Sequence, residues 1–458
     1  MTHKRFLIVF FLFILTAITF MDRICISTAS DQIMIDLKIT PQMIGYIFAM
    51  FALSYSLFQI PSGMLADTYG PKKVLASVVF FWSIFTALTG LAWSAVSMLF
   101  FRFFFGVGEA GAFPGATRAI YNWVPIKERG IANGIYHSGA RFGAALSLVF
   151  MPWLIHLVGW RWMFIINGSV GIFWITAWLI WFRDQPRQHP GVNEAECQYI
   201  EDGMQNTKPE EERIPFGIVI TSSNMALAMF QYFANCMTVF IALSWLFPYM
   251  KSHWGESATL YTPIPLILGM FAHWISGALV TYIYHKGYHV ASRRIPAMIG
   301  FALGAIGLVL CTQIANISAL VFISCFGIAV FGAEMTVAPS WTFCMDIGGK
   351  NSGAVSGTMN MLGNLGSATG AVIFPFFIAH VTLPFFAEKT GTANSFFILA
   401  AVLNLLAMFS WLFMNPMKKL NTSIPKEKIR LRVIALIASI LIIFIGLYIY
   451  KTFFMRPL

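Results

Sequence analysis

The sequence is short of charge. Only 11% of its 458 residues are Asp, Glu, Lys or Arg, against about 25% in a typical soluble domain. The 58% that are hydrophobic are more than a soluble fold can bury, which excludes a soluble enzyme, a disulfide scaffold and a disordered protein. Acid is scarcest: 19 Asp and Glu stand against 30 Lys and Arg, a net charge of +11. That excess does not make a nucleic-acid binder, because the basic residues gather on no soluble face. The six cysteines have no metal-ligand spacing, and all but Cys197 sit in or at the ends of apolar runs, so neither a disulfide framework nor a metal site is expected. No GxxxxGK[ST] phosphate loop occurs, and no loop has room for an ATPase domain. No His/Cys/Asp constellation with nucleophile spacing appears in an apolar run, so no catalytic residue is named. Transport, if that is the task, has to run on a proton or other gradient and not on a cofactor.

What is present is apolar sequence in long runs, with a mean hydropathy of +0.72. At about 20 residues per spanning helix, the runs predict helices near 6–28, 43–65, 73–95, 96–119, 130–152 and 161–182, then near 219–249, 262–284, 295–314, 317–341, 352–380 and 393–414. A thirteenth run, Val433 to Tyr450, follows a basic segment and is apolar all round, which favours spanning over lying in the interface. The fold class is all-α integral membrane. Four parts are expected: a first six-helix half over 1–182, a solvated cytoplasmic linker over 183–218, a second six-helix half over 219–414, and a basic segment with an extra transmembrane helix over 415–458. The first run is too long for a signal peptide and no small-residue cleavage site follows it.

Of the 30 Lys and Arg, 21 fall on one side if the N-terminus is cytoplasmic, as the positive-inside bias requires. The C-terminus is then extracytoplasmic if the last run spans. Arg23, Arg102 and Arg141 remain within the hydrocarbon region.

The halves repeat. Gly63-Met-Leu-Ala-Asp67-Thr-Tyr-Gly70-Pro-Lys72-Lys73 has a degenerate echo in Gly277-Ala-Leu-Val-Thr281 with Arg293 and Arg294; Glu109 and Pro114 are answered by Glu334 and Pro339; Gly130, Gly134, Gly139 and Gly143 by Gly353, Gly357, Gly363 and Gly366. In that register Arg141 faces Asn364. Two similar halves place a binding site at mid-depth between them, with rocking of one on the other as the mechanism.

These residues resemble the major facilitator superfamily over the chain to about residue 414, the Gly63 to Lys73 stretch being similar to its signature loop. Phe20-Met-Asp22-Arg23, Arg102 with Gly106-Val-Gly-Glu109-Ala and Phe113-Pro114, Pro125-Ile-Lys-Glu128-Arg129, Trp245-Leu-Phe-Pro248-Tyr249, and the stretch from Asp184-Gln-Pro186 to Glu196-Cys-Gln-Tyr199-Ile200 resemble its anion:cation symporter family. The resemblance implies the twelve-helix major facilitator fold and proton-coupled carriage of sugar acids, hexuronates, sialin-type or phthalate-type anions.

An ionisable side chain at the centre of a spanning helix is a functional hypothesis by default, the alternative being a structural ion pair. A buried carboxylate exchanges its proton according to its distance from a cation, and an arginine fork holds an organic acid in two hydrogen bonds. Glu109 is the expected proton carrier, Asp22 a second proton site or a gate paired with Arg102, and Arg23 the anchor of the substrate carboxylate; the resemblance implies the same roles. Arg102, seven residues from Glu109, is expected on the wall of the same cavity. Tyr55, Arg141, Asn364 and Asn360 complete the expected substrate contacts, with Trp245 at the rim by resemblance to the family motif. Here the chain departs from galactonate-type members, which carry Gln near Arg141, and a second cation points weakly to a dicarboxylate or another acid group. Glu334 has no basic partner in its own half and is left between a second coupling site and a structural bond. Asp67, Lys72, Lys73 and Arg129 stand at inside helix ends, where bridges between helices gate.

The expected function is proton-coupled symport of a small organic anion by a monomer in a bacterial inner membrane, its partners being that anion and the lipid bilayer. An exchanger of organic phosphates or anions, and an exporter of amphipathic compounds, remain as alternatives. Intramembrane carboxylates argue against the exchanger and three buried arginines against the exporter. A membrane sensor would need a signalling domain, and the longest soluble segment is too short for one.

Overall fold

The computed structural model describes residues 2–204, 215–314, 317–380, 393–420, 424, 425 and 427–434, and these are helical or in short connections, with no strand among the described residues. The first half contains α1 (Lys4–Thr28), α2 (Ser30–Leu37), α3 (Pro41–Tyr69), α4 (Pro71–Gly90), α5 (Ala95–Glu109), α6 (Ala112–Trp123) and α7 (Arg129–Trp181). After the connecting helix α8 (Glu194–Asp202) come α9 (Phe216–Thr221), α10 (Ser223–Ser244), α11 (Leu246–Trp254), α12 (Ile264–His285), α13 (Ala291–Ile314), α14 (Ala319–Met335), α15 (Val337–Gly348), α16 (Ser352–His380) and α17 (Asn394–Ser410). Among the described residues nine helical stretches are long and apolar enough to cross a membrane. Two of these hold two crossings each: α7 breaks at Gly159, where φ is 78°, and the stretch from Ala319 to Ile378 breaks before α16. With the shorter apolar α17 this makes twelve, because a crossing needs about 20 residues. Beyond Ile434 the thirteenth run lies outside the described residues.

Proline explains two further breaks, and they fall at equivalent places. Glu109 ends α5 and Pro114 stands in the first turn of α6; Glu334 lies one residue before the end of α14 and Pro339 in the first turn of α15. Proline lacks the N–H that would serve the carbonyl four residues back. In the second case that carbonyl belongs to Met335, and the Ser276 hydroxyl of α12 donates to it instead. An unserved carbonyl in hydrocarbon would cost several kcal/mol, so such a break survives only where a neighbouring helix supplies the donor.

The repeated glycines set the packing. A Cβ on Gly139 or Gly143 would overlap the backbone of α1, and one on Gly363 or Gly366 would overlap α10, so the same glycine pair seats the first helix of each half. The other members of each set lie between the halves. Gly63 and Gly353 meet backbone to backbone, as do Gly130 and Gly277; Gly357 would set a Cβ 2.7 Å from the Gln59 carbonyl, and Gly134 packs on His273. All these contacts lie toward the face that carries the N-terminus. On that face the seam is sealed.

Residues 183–204 of the segment expected as a solvated linker fold back on the first half. Glu196 of α8 accepts hydrogen bonds from the Lys4 and Arg5 backbone N–H groups at 3.0 and 3.2 Å, serving orphan donors of α1, and Thr2 bonds the same carboxylate. Arg5 pairs with Glu196 at 3.1 Å and Glu128 at 2.7 Å, and the Tyr199 hydroxyl donates to Glu128. Asp184 accepts from the Lys72 N–H at 2.8 Å in the first turn of α4, beside Gly70, whose φ of 84° and crowding by that carboxylate admit no side chain.

Burial pushes the Glu196 carboxyl up, but the bonds from Thr2, Lys4 and Arg5 outweigh it and hold the group below the ordinary glutamate range. A depressed carboxyl stabilises above its unfolded pKa of about 4.3 and loses that contribution as pH falls through the lower, folded value. At neutral pH, Glu196→Gln is expected to weaken the clamp by about 1.5–3 kcal/mol, the worth of charge-assisted bonds. Amide hydrogen exchange at Lys4 and Arg5 should rise by tenfold or more while the Asp184–Lys72 contact keeps its protection.

Candidate functional site

At mid-depth of the first half, the Arg23 Nε of α1 donates to Glu109 Oε2 of α5 at 2.9 Å. The guanidinium carbon lies 4.4 Å from the Tyr55 ring centre, 4.8 Å from that of Phe20 and 5.4 Å from that of Phe51. With Phe113 at 5.9 Å as the fourth, these rings around one cation compensate for water it has lost. Glu109 is fully buried, whereas the Arg23 side chain keeps 18% of its surface accessible. Arg23 Nη2 and Glu109 Oε1 have no hydrogen-bond partner among the described residues. The pair therefore leaves one buried donor and one buried acceptor unserved in this state.

Asp22, the preceding residue, is turned about 100° round α1 from Arg23. Its oxygens accept from Asn167 Nδ2 of α7 at 2.6 Å and from Trp82 Nε1 of α4 at 3.1 Å. The expected Asp22–Arg102 pair is not formed: Arg102 makes no ion pair among the described residues, although Asp22 and Glu109 lie within electrostatic reach. Nor is Arg102 on a cavity wall. It is buried against Phe105 and Phe164, 4.8 and 5.2 Å from their ring centres, because α5 turns that face toward α7.

Between the halves, Arg141 of α7 forms an ion pair with Glu334 of α14, whose other oxygen is 2.9 Å from His273 Nε2 of α12. Glu334, without a cation in the repeat register, thus draws one from the other half. Nearby, Asn360 Nδ2 of α16 donates to the Gln59 Oε1 of α3 at 3.1 Å and lies 3.4 Å from the Tyr55 hydroxyl. Asn364 instead donates back to the Asn360 carbonyl of its own helix. Trp245 is apart from this group, donating to the Ala371 carbonyl and packing on Phe374 in the second half.

Below the site, toward the N-terminal face, polar groups close the seam. Asp67 accepts from the Gly353 and Ala354 N–H groups at 2.9 and 2.7 Å, where the first turn of α16 presents unsatisfied donors and a positive dipole end. Arg129 reaches Asp346 of α15 across the seam at 3.5 Å, and Arg293 holds the same carboxylate at 2.8 Å. The Ile131 N–H donates to the Thr281 hydroxyl. Lys72 and Lys73 make no bridge across the seam among the described residues; Lys72 is engaged through its backbone by Asp184 and Trp178.

Sequence reasoning passed over Trp82, Asn167, Gln59, His273 and Asp346. Each is a polar group inside an apolar run, the signal that singled out Glu109, but neutral or helix-end residues carry it weakly.

The sequence profile of the Major Facilitator Superfamily matches residues 12–371. The chain belongs to that superfamily. The "Probable sulfoacetate transporter" of Cupriavidus necator is 32% identical over 90% of the chain and 93% of the relative. The "Probable galactarate/D-glucarate transporter" of Escherichia coli is 31% identical over 90% of the chain and 94% of the relative. These relatives place the chain in the sugar-acid group of the anion:cation symporter family. A proton:xylose symporter structure superposes with a TM-score of 0.71 at 15% identity, covering 92% of this chain and 98% of that one, and shows the shared fold. This major facilitator protein is a multi-pass membrane transporter by relationship, and neither its relatives nor its fold are those of enzymes.

In this major facilitator chain Asp346 is, among the described residues, the one carboxylate paired with both Arg129 and Arg293. Asp346→Asn would leave those two buried cations facing each other, and removing one partner of a buried pair costs about 3–5 kcal/mol. The sealed state is expected to lose population, so that a single cysteine at Thr281, in a background without the native cysteines, reacts with a maleimide at least about tenfold faster, 1.4 kcal/mol being a factor of ten.

Proposed function

We propose that the protein is a proton-coupled symporter of a small organic anion, a sugar acid or related carboxylate of the kind named for its relatives. It works as a monomer in a bacterial inner membrane, with the N-terminal face in the cytoplasm and the halves 1–182 and 219–414 rocking about the site between them.

The observation that carries this reading is the Arg23–Glu109 pair with its unserved Nη2 and Oε1. An acid group arriving at Arg23 competes with Glu109 for the same fork. Displacing an ionised Glu109 would strand a charge in a buried place, whereas a proton on Oε1 makes its release inexpensive. Anion and proton therefore favour each other at this pair, and that mutual preference is symport. Asp22, on the same helix and held by Trp82 and Asn167, is the second proton site. Tyr55 and Asn360 supply hydroxyl and amide groups for a polyhydroxylated chain, and Asn364 joins them from the same face of α16 when the halves move.

The sealed seam supplies the gate. With Asp67 on the α16 N-terminus and Arg129 on Asp346, the site is closed to the cytoplasm and takes its load from the opposite side. Breaking these contacts and opening that face releases it. Alternating access is supported by a seam that, among the described residues, carries Asp67 on α16, Arg129 on Asp346 and Ile131 on Thr281 between the site and the N-terminal face.

Uptake into proteoliposomes checks the coupling. Under an imposed inward proton gradient, wild type is expected to accumulate one of a panel of sugar acids well above equilibrium. Glu109→Gln, neutral at every pH, should retain exchange of that acid and lose accumulation by at least about tenfold, the scale of one lost buried charge interaction. Accumulation that ignores the gradient in wild type, or persists in the variant, would replace symport by exchange.

A further inference from the structure

The second half ends on the face that carries the N-terminus, and the chain that follows it is basic. Between residues 418 and 432 stand six Lys and Arg against one acid, Glu427. After α17 the backbone is tied across the ends of two helices. Asn224, at the start of α10, donates to the Asn415 carbonyl at 2.9 Å and accepts from the Asn415 N–H at 3.0 Å, and the Leu420 N–H donates to the Ile347 carbonyl of α15 at 3.2 Å. Residues 427–434 are helical and lie on α9, where a Cβ on Gly217 would overlap Ile429.

α9 and α10 meet at Ser222, whose extended backbone turns one helix from the other. Between that bend and the returning segment lies an open cavity of about 360 Å³, a size found among small-ligand sites, which span about 300–1,000 Å³. Lys418, Lys419 and Arg432 line it together with Thr221, Ser222 and Ser223, and no Asp or Glu is among its described lining residues. Three cations around one space repel one another, and an anion placed among them reverses that cost. The Thr221 hydroxyl already donates to the Gly217 carbonyl at 2.6 Å, so Ser222 and Ser223 are the hydroxyl donors for a ligand. The segments that supply the cations also carry apolar side chains in the open, Met417 at 61% and Leu431 at 66% exposure. A soluble phosphate ester leaves such side chains uncovered, whereas the acyl chains of a phospholipid cover them.

We propose that this cavity is a lipid site that seats the phosphate of an anionic phospholipid on Lys418, Lys419 and Arg432. Arginine offers its fork to two phosphate oxygens, and Ser222 and Ser223 donate to those that remain. Basic pockets at helix ends hold anionic headgroups in this way. A headgroup that carries its own cation, such as choline, is disfavoured because it would bring positive charge to three others. The lining residues belong to α9, α10 and the segment after α17 and none to the first half, so the lipid anchors the second half at the membrane surface. Lipid binding there stands or falls separately from anion coupling at Arg23 and Glu109.

Binding is measured on the purified full-length chain in a neutral detergent by displacement of a fluorescent phosphatidylglycerol, at about 0.15 M salt, where charges are screened beyond about 8 Å. The competitors are phosphatidylglycerol, phosphatidylcholine with the same acyl chains, and glycerol 3-phosphate. Wild type is expected to prefer phosphatidylglycerol to phosphatidylcholine by at least about tenfold, the scale of one charge-assisted contact, and glycerol 3-phosphate to compete far more weakly than either. Lys418→Gln with Arg432→Gln should abolish the preference. Lys428→Gln with Arg430→Gln removes the same charge from the same stretch but from outside the cavity, and should leave the preference within about threefold of wild type, as screened exposed charges do. If the first double variant is not recovered folded, as judged by size exclusion, Ser223→Glu carries the test. An acid is tolerated in the first turn of a helix, and here it would occupy the cavity with the protein's own carboxylate and abolish the preference likewise. Equal losses in the two double variants show a diffuse basic surface and overturn the proposal, as does a wild type without preference or a preference that survives the cavity variants. Glycerol 3-phosphate competing as well as phosphatidylglycerol overturns the lipid assignment in favour of a soluble phosphate ester.

Discussion

A charge in hydrocarbon is costly unless another group meets it, and five of the charges in the apolar helices here are met by an ion pair or hydrogen bonds, while Arg102 has ring faces. Arg23 is met by Glu109, Arg141 by Glu334, and Asp22 by two neutral donors. Each arrangement uses a different pair of helices, so each is also a statement about where those helices stand. Donors and acceptors are left over both at the site and at the seam, where Asp346 is paired with two arginines and Asp67 accepts from two backbone N–H groups.

The duplication supplies the frame. Two prolines break equivalent helices just past two glutamates, and two glycine sets seat the first helix of each half while bringing the halves into contact. Serving the Met335 carbonyl from Ser276 shows how a broken helix is made tolerable at membrane depth: its neighbour supplies the donor that proline removed.

The number of helices, their approximate ends and the membrane class are legible in the sequence because each rests on a one-dimensional signal, the length of an apolar run. Glu109 and Arg23 are legible for a similar reason, as charges in such runs. Partnership is another matter. Arg102 stands seven residues from Glu109 on one face of a helix, yet the partner of Glu109 is Arg23 of another helix, and Arg102 is turned into packing by Phe164. Which residue of a neighbouring helix lies opposite depends on rotation about each axis, and no spacing within one helix contains it. The connection after α7 misleads for the same reason: its acidic composition reads as solvated, but Glu196 and Asp184 are there to serve backbone donors of α1 and α4.

The glycine contacts between the halves bear on kinetics. Where Gly63 meets Gly353 and Gly130 meets Gly277, backbone lies on backbone with no side chain between. At these points glycine backbone meets glycine backbone, with the Val280 and Asp67 side chains alongside, so few side chains have to move for the surfaces to part there. In the rocking motion proposed above, such glycine contacts would leave the cost of parting the halves to the neighbouring polar pairs.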